Sequence, residues 1–521
     1  MKKKLIIGLV IMLSLTMLMT GCKGEDKGLT QTTGDAADET GAAVRTDFTI
    51  AIPSEPKALD PHNAMDSWTS AVLINVFDCL VQLDDNGNVL PSLAKEWEVR
   101  EDGLSIRFLL RDDVKFHDGS DFTAADVKFS FERAMGSSYK MGATNALKNV
   151  EILNDYEVVI NLNYKYAPIL NLIANSSCSI VSKAATENIA DEDFLDNAVG
   201  TGPYKFVEWK KGDRIILEAF DNYYDGTPSI KDVTYSITTL RKRFFTYIEP
   251  CDVDAYVDIA GIDRQTVLNN PDLKLLDTPS GYRLFLQMNN LVEPFDNKLV
   301  RQAIRLCFDQ QEIIDIALDG AGVPADIALI HPNLGVLYGR MDKPQKNIEE
   351  AKKLLAEAGY PNGFDTVLHV REDATKVVGQ ILQENLAEIG INAEVVVVDR
   401  SAHLEDIING TVVFSTLQLL DSLLDAGEPL AWDHSKNYGY NGGNFNYTTN
   451  DDIDRLVEAQ DTEVDQAKRS EIITELTGYI FEESPYAPVY YPLTNIAFNI
   501  NIKGLEAADS RFMYRINRLS W

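Results

Sequence analysis

The chain has 521 residues, 45% apolar and 25% charged, and a formal net charge of −32 at neutral pH. Such a composition belongs to a globular protein long enough for two or three domains. The acidic balance excludes a nucleic-acid partner, which demands a basic face, and otherwise serves solubility.

The N-terminus reads MKKK, then the uncharged apolar run Leu5–Met19, then Thr20, Gly21 and Cys22. A membrane-spanning helix needs about 20 apolar residues. A basic start, a shorter apolar core and small residues instead read as a secretory leader over 1–21. The stretch LMTGC resembles the lipobox of bacterial lipoproteins, with Met19 where leucine is usual, and Cys22 is the lipidation candidate. Residues 22–46 are mostly Gly, Thr, Asp, Glu and Ala. They carry almost nothing to bury and read as a flexible tether. Lipid, spacer and body place the protein at the outer face of a membrane, anchored rather than spanning.

DFTIAIP alternates like a strand, and a helical stretch follows from about Trp68 to Leu80. After the turn DDNGN comes a helix or turn at PSLAKEW. LSIRFLLRDDVKFHDG reads as two strands around RDD, and a helix starts at the Thr123 cap of TAADVKFSFERA. YEVVINLN is a short strand. GTGPYKFVEWKKGDRIILEAF reads as a turn and a hairpin bent at KKGD. VTYSITT and the segments flanking TPSG add strands.

The second half turns helical at NKLVRQAIRLCFDQQEIIDIAL and NIEEAKKLLAEAGY, the latter capped by Asn347 and closed by Gly359. TVLHV, TKVVGQILQENLAEI and INAEVVVVD form a βαβ unit, which demands parallel strands and a right-handed crossover. IDRLVEAQ and AKRSEIITELTGYIFEES are helices before PYAPVYYP. The sum is a mixed α/β and α+β protein of two lobes, whose mouth is the natural ligand site.

No P-loop, Rossmann fingerprint, GxSxG elbow or HExxH occurs. GTGPYKF lacks the Lys-Ser/Thr ending of a phosphate loop, and its glycines read as structural. No set of catalytic roles can be assembled, so the chain reads as a non-enzyme with no cofactor. Of the five cysteines, Cys79, Cys178, Cys251 and Cys307 sit in apolar company and read as buried free thiols. The six histidines are dispersed, which argues against a protein-built metal site.

Six fragments carry a resemblance, in order: ALDPH, VLPSLAKEWEVREDGLSIRFLLRDDVKFHDGSDFTAADVKFSFERA, GTGPYKFVEW, DNYYDGTP, NKLVRQAIRLCFD and EEAKKLLAEAGYPNGF. From about Thr49 to Trp521 the chain resembles family 5 of the bacterial extracellular solute-binding proteins. These are the oligopeptide-, dipeptide- and nickel-binding receptors of ABC importers. CDVD replaces the usual Gly-Glu-Ile-Asp, and LLDSLLDAGEP is longer and less aromatic than usual. The resemblance implies a periplasmic-binding-protein-like fold of two main lobes joined by a hinge, plus an extra inserted domain. Domain I spans 47–77, 174–284 and 492–521, domain II is the insertion 78–173, and domain III spans 285–491. Hinge closure encloses the ligand.

The function implied is capture of di- to oligopeptides by a monomeric, surface-tethered receptor and their delivery to a membrane permease. A zwitterionic peptide needs a carboxylate for its amine and a cation or helix N-terminus for its carboxylate. The resemblance places Asp425 of DAGEP at the ammonium position, with Asp421 as competitor. Oligopeptide receptors carry an arginine in the preceding strand, but TVVFSTLQLL holds none, and Arg371 is the alternative carboxylate partner. Trp432 and the loop Met65, Asp66, Ser67 and Trp68 lie where the family lines its cleft. Tyr438 and Tyr440 are further aromatic candidates. The same fold with an oligosaccharide or a chelated nickel ion is the nearest alternative. A surface adhesin or signalling lipoprotein is the more distant one.

Overall fold

One long strand, Tyr486–Asn499, runs through both halves of a 12-stranded sheet. The computed structural model describes residues 45–63, 66–84, 86–138, 142–190, 194, 198–238, 253–335, 344–371, 374–421, 423–437, 443–506, 509 and 511–521. The first part of the long strand pairs antiparallel with Tyr282–Met288 and Gly322–Pro324. Its second part pairs with Ala255–Val257 and Leu273–Pro279. The two strands flanking TPSG therefore pair with this strand and not with each other. Between them the chain crosses from one half to the other, where Ser280 N donates to Pro492 O at 2.8 Å.

In the first half Asp47–Ile52 lies between two parallel neighbours, Asp232–Ile237 and Ala255–Val257. The hairpin Tyr204–Lys210 with Arg214–Ala219 closes that edge, bent at KKGD as the sequence predicts. In the second half the βαβ unit forms as expected. Asp365–Arg371 runs parallel to Asn392–Val398, with the helix Ala374–Glu388 between them in sequence. Val370, Val378, Leu382, Leu386 and Ile391 bury together there, because helix and strands each present one apolar face.

Residues 94–162 build a separate four-stranded antiparallel sheet, Ala94–Val99, Ser105–Leu110, Glu157–Leu162 and Leu147–Asn154 in spatial order. The helix Ala124–Gly136 packs on it through Val127 and Phe131, against Ile106, Phe108 and Val158. Its N-terminus is at the Thr123 cap expected from the sequence, and Asp126 turns that cap into a capping box.

Three expectations need correcting. PSLAKEW is neither helix nor turn: Ala94–Val99 is a strand, with Trp97 opposite Phe108. VKFHDG forms only an isolated bridge between Lys115 and Asp121. The helix expected through Leu80 spans only Ser67–Leu73. Past Ile74 the carbonyls of Asn75 and Val76 accept Tyr204 N at 2.9 Å and Gly202 N at 3.0 Å, so they cannot serve a continuing helix. This contact also explains the glycines of GTGPY: a Cβ at Gly200 or Gly202 would collide with the Val76 backbone.

Two of the sequence fragments meet through an ion pair. Asp60 of ALDPH takes Arg133 of FSFERAM at 2.7 and 2.5 Å. The same guanidinium donates to His62 Nδ1 at 2.9 Å, which makes Nε2 the protonated nitrogen facing Ser179 O at 3.0 Å. Burial, with the Arg133 charge, pushes the His62 imidazole down to about 4. Cys79, Cys178 and Cys307 are buried free thiols. Cys251 and residues 1–44, with Cys22, lie outside the described residues. Among the described residues no helix is long and apolar enough to cross a membrane.

Candidate functional site

Strand Phe414–Leu420 ends beside the crossing, and the loop after it carries both acids singled out in the sequence. Asp421 N donates to Gly281 O at 2.9 Å, pinning the loop to the crossing. Leu424 holds a left-handed φ of 50°, a conformation that costs a non-glycine residue about 1–3 kcal/mol and persists only where neighbours enforce it. Here the neighbours are visible. Asn171 Nδ2 donates to Leu423 O and Leu424 O at 3.1 Å each, and the Leu423 side chain packs into the core of the four-stranded sheet.

The two acids face different cations. Asp425 is gripped two-pronged by Arg469, at 2.7 and 2.6 Å, and also accepts Gly427 N at 2.8 Å. Two further donors of Arg469 go to Gln460, Nε to the backbone carbonyl at 3.0 Å and Nη2 to Oε1 at 2.8 Å. The acid expected to meet a solute's ammonium thus spends both oxygens on the protein.

Asp421 is built otherwise. It meets Arg283 through one oxygen, Oδ1, on one nitrogen, Nη1. Arg283 is 0% exposed and Asp421 1%. Arg283 stands on strand Tyr282–Met288, directly opposite Leu419 in register, and Trp432 covers its flat face at 4.3 Å. Among the described residues Arg283 Nε, Arg283 Nη2 and Asp421 Oδ2 have no hydrogen-bond partner. Buried polar atoms of this kind each cost about 1–3 kcal/mol. Burial pushes the Asp421 carboxyl up, against the pull of Arg283. The neighbouring Asp433 is pushed up to about 7 by burial, partly offset by Thr448.

The pair continues toward the other lobe. His331 Nε2 bonds Pro279 O at 3.0 Å at the crossing. Burial pushes its imidazole down, and the charges of Arg283 and Arg511 add to that. Arg511 in turn borders a cavity of about 380 Å³ lined also by Asn175, Ser176, Tyr514, Arg515 and Arg518. Beside it Phe512 meets Trp68 at a tilt of 33°, with ring centroids 4.9 Å apart. Trp68, Phe512, Arg511, His331 and Arg283 therefore lead from one lobe to the other.

Of the residues chosen from sequence, the structure brings Asp421 and Trp432 together around Arg283. Trp68 packs against Phe512 and the core of the first half of the sheet. Asp66 caps the short helix, accepting Thr69 N at 2.9 Å and Thr69 Oγ1 at 2.6 Å, and Ser67 is the first residue of that helix. Arg371 bonds Gln418 Oε1 at 2.9 Å on strand Phe414–Leu420. Met65, Tyr438 and Tyr440 lie outside the described residues. Arg283, His331, Arg469 and Arg511 were not foreseen. The one available signal was Arg283 itself, a lone cation in the apolar strand YRLFLQM.

The profile of Bacterial extracellular solute-binding proteins, family 5 Middle, matches residues 88–441. The chain belongs to that family. The glutathione-binding protein GsiB of Salmonella typhi is 27% identical over 476 residues, covering 89% of this chain and 92% of its own. The oligopeptide-binding protein AppA of Bacillus subtilis is 27% identical and covers 99% of this chain and 98% of its own. The solved structure of AppA in complex with a nonapeptide superposes with a TM-score of 0.73 at 26% identity, over 92% of this chain and 99% of that one.

Proposed function

We propose that this family 5 protein is the peptide-capturing receptor of an ABC importer. The observation that carries the reading is its likeness, over nearly the whole chain, to the oligopeptide-binding protein AppA, solved with a nonapeptide. Domains I (47–77, 174–284, 492–521) and III (285–491) close on the solute about the crossing at Pro279–Gly281 and the long strand, with the insertion 78–173 as domain II. No covalent chemistry is involved. Asp421, which keeps an open oxygen, receives the solute's ammonium in preference to Asp425. Trp68 covers the solute's side chains, joined by Met65, Tyr438 and Tyr440, Trp432 lies over the Arg283 guanidinium beside them, and Arg371 serves the solute farther along strand Phe414–Leu420. The mature chain is a monomer, held to the outer face of the cytoplasmic membrane by lipid on Cys22.

Thermal unfolding of Arg45–Trp521 against di- to hexapeptides, oligosaccharides and nickel chelates tests the cargo. A solute at about 100 times its dissociation constant stabilises the bound form by about 2.7 kcal/mol. Stabilisation by peptides alone upholds the reading, and stabilisation by sugars or chelates alone replaces the cargo. No shift with any of them puts the adhesin or signalling reading in its place. Labelling cells with an alkyne fatty acid tests the anchor: Cys22→Ser must abolish the label and release the protein to the medium.

A further inference from the structure

Arg283 has a specific geometry of unused donors. A guanidinium offers a carboxylate its best grip along one edge, where two N–H bonds run parallel. In Arg283 that edge is Nε with Nη2, and those are the two atoms without partners among the described residues. Asp421 occupies only Nη1, on the other side. The contrast with Arg469, which gives Asp425 two parallel bonds, shows that this fold builds the closed arrangement where it needs one.

Three further observations bear on what the open edge receives. The guanidinium lies at the end of its strand next to the crossing, where Gly281 O holds Asp421 N at 2.9 Å. One of its faces is covered by Trp432. Strand Phe414–Leu420, which ends in the loop, contains no cation, and Arg283 stands opposite its Leu419.

Charge decides the class of solute. Arg283 and Asp421 together are neutral. A lone carboxylate docking on Arg283 would leave a net buried negative charge, which the interior resists strongly. A solute that brings an ammonium along with its carboxylate satisfies Asp421 Oδ2 in the same event and keeps the site neutral.

We infer that Arg283 is the residue that grips a carboxylate of the bound solute along its Nε–Nη2 edge, with Asp421 Oδ2 receiving the solute's ammonium. This rests on the receptor reading and deepens it, because it names a zwitterionic solute and the specificity residue. Arg283 is a binding residue, and Trp432 a positioning one.

The test compares trialanine, its C-terminal amide and its N-acetyl form, with galacturonate and galactose as non-peptide probes, by calorimetry on the mature chain. Wild type should lose about 100-fold in affinity for each blocked peptide. The double variant R283Q/D421N keeps a neutral hydrogen-bonding pair and so retains the fold, which its melting curve verifies. In it the discrimination against the amide should shrink to about threefold. R283K keeps the charge but loses the two-pronged edge, and should weaken free trialanine about tenfold while leaving the amide unchanged. Equal binding of acid and amide by wild type, or discrimination that survives in R283Q/D421N, overturns the clamp and leaves the peptide reading intact. Binding of galacturonate over galactose with no peptide bound, lost in R283Q/D421N, upholds the carboxylate grip and sinks the peptide reading. Binding of neutral solutes only, or of none, overturns both.

Discussion

Two acid–guanidinium pairs hang from one loop and are built in opposite ways. Asp425–Arg469 is saturated at the acid: two parallel bonds and a third from Gly427 N, with Gln460 taking two further donors of the guanidinium. Arg283–Asp421 is deeply buried, yet it makes one contact and leaves three polar atoms open. Neither burial nor charge separates the two, since both pairs are nearly inaccessible. What separates them is the balance of donors and acceptors. A closed balance holds the loop in place, and the open one is where the proposed solute docks. The acid named first from sequence is the saturated one, and the acid named second is the one that keeps an open oxygen.

The sharpest way to break this comparison is to cut the saturated pair. Asp425→Ala leaves Arg469 buried and uncompensated and should cost about 3–5 kcal/mol of stability. Denaturant unfolding reads this directly, and replacing both partners by apolar residues, Asp425→Leu with Arg469→Met, should restore most of it. Solute affinity per folded molecule should stay within about threefold. Unchanged stability with abolished binding would reverse the assignment and return Asp425 to the solute.

Acidity probes the open side. Asp433 carries a folded-state value of about 7, raised by burial, against about 3.9 for an unfolded aspartate. Below about pH 4 the carboxyl is protonated in both states and burial costs little. As pH rises through 7 the unfolded chain ionises first, so the native state loses stability, by at most about 4 kcal/mol, and the loss levels off above 7. Asp433→Asn should flatten that segment of the stability curve. A variant curve that runs parallel to wild type between pH 4 and 7 would contradict the burial of this acid beside Arg283. Smaller still is the effect of Gly427→Ala. Its Cβ would overlap Gln460 Oε1 and Arg469 Nη2, and overpacking of this kind costs about 1–3 kcal/mol. The loss should fall entirely on stability.

Much of the fold was legible because it is local. The KKGD hairpin, the Thr123 and Asn347 caps and the βαβ unit each declare themselves within a short window. PSLAKEW was misread because Ala, Lys and Glu favour helix, and pairing with Ser105–Leu110 overrides that preference. The site was legible only in part. Asp421 and Trp432 came from the family resemblance, but their shared partner Arg283 lies 138 positions from Asp421. Arg469 is 44 positions from Asp425. Strand alternation places Arg283, Phe285 and Gln287 on one face. A lone arginine there reads as solvent-facing until the sheet is seen to be covered on both sides.

The smallest effect on stability, and the most selective on binding, belongs to Trp432. The ring is half-buried and held from behind by Gly443, where a Cβ would sit 2.8 Å from Cγ and Cδ1. Phe445 meets it edge-on at 6.4 Å. Its outer face is therefore free to lie over the Arg283 guanidinium and fix the plane in which the open edge points. A cation over a ring is worth about 0.5–2 kcal/mol, more as water is excluded. Trp432→Leu keeps apolar cover but removes that orientation, and should cost no more than about 1 kcal/mol of stability on the lower part of the same scale. Free trialanine should weaken about tenfold, equivalent to 1.4 kcal/mol, and its amide much less. The asymmetry is what matters: a ring that merely supplied buried area would weaken acid and amide alike, whereas one that aims a guanidinium is felt only by the solute that uses it.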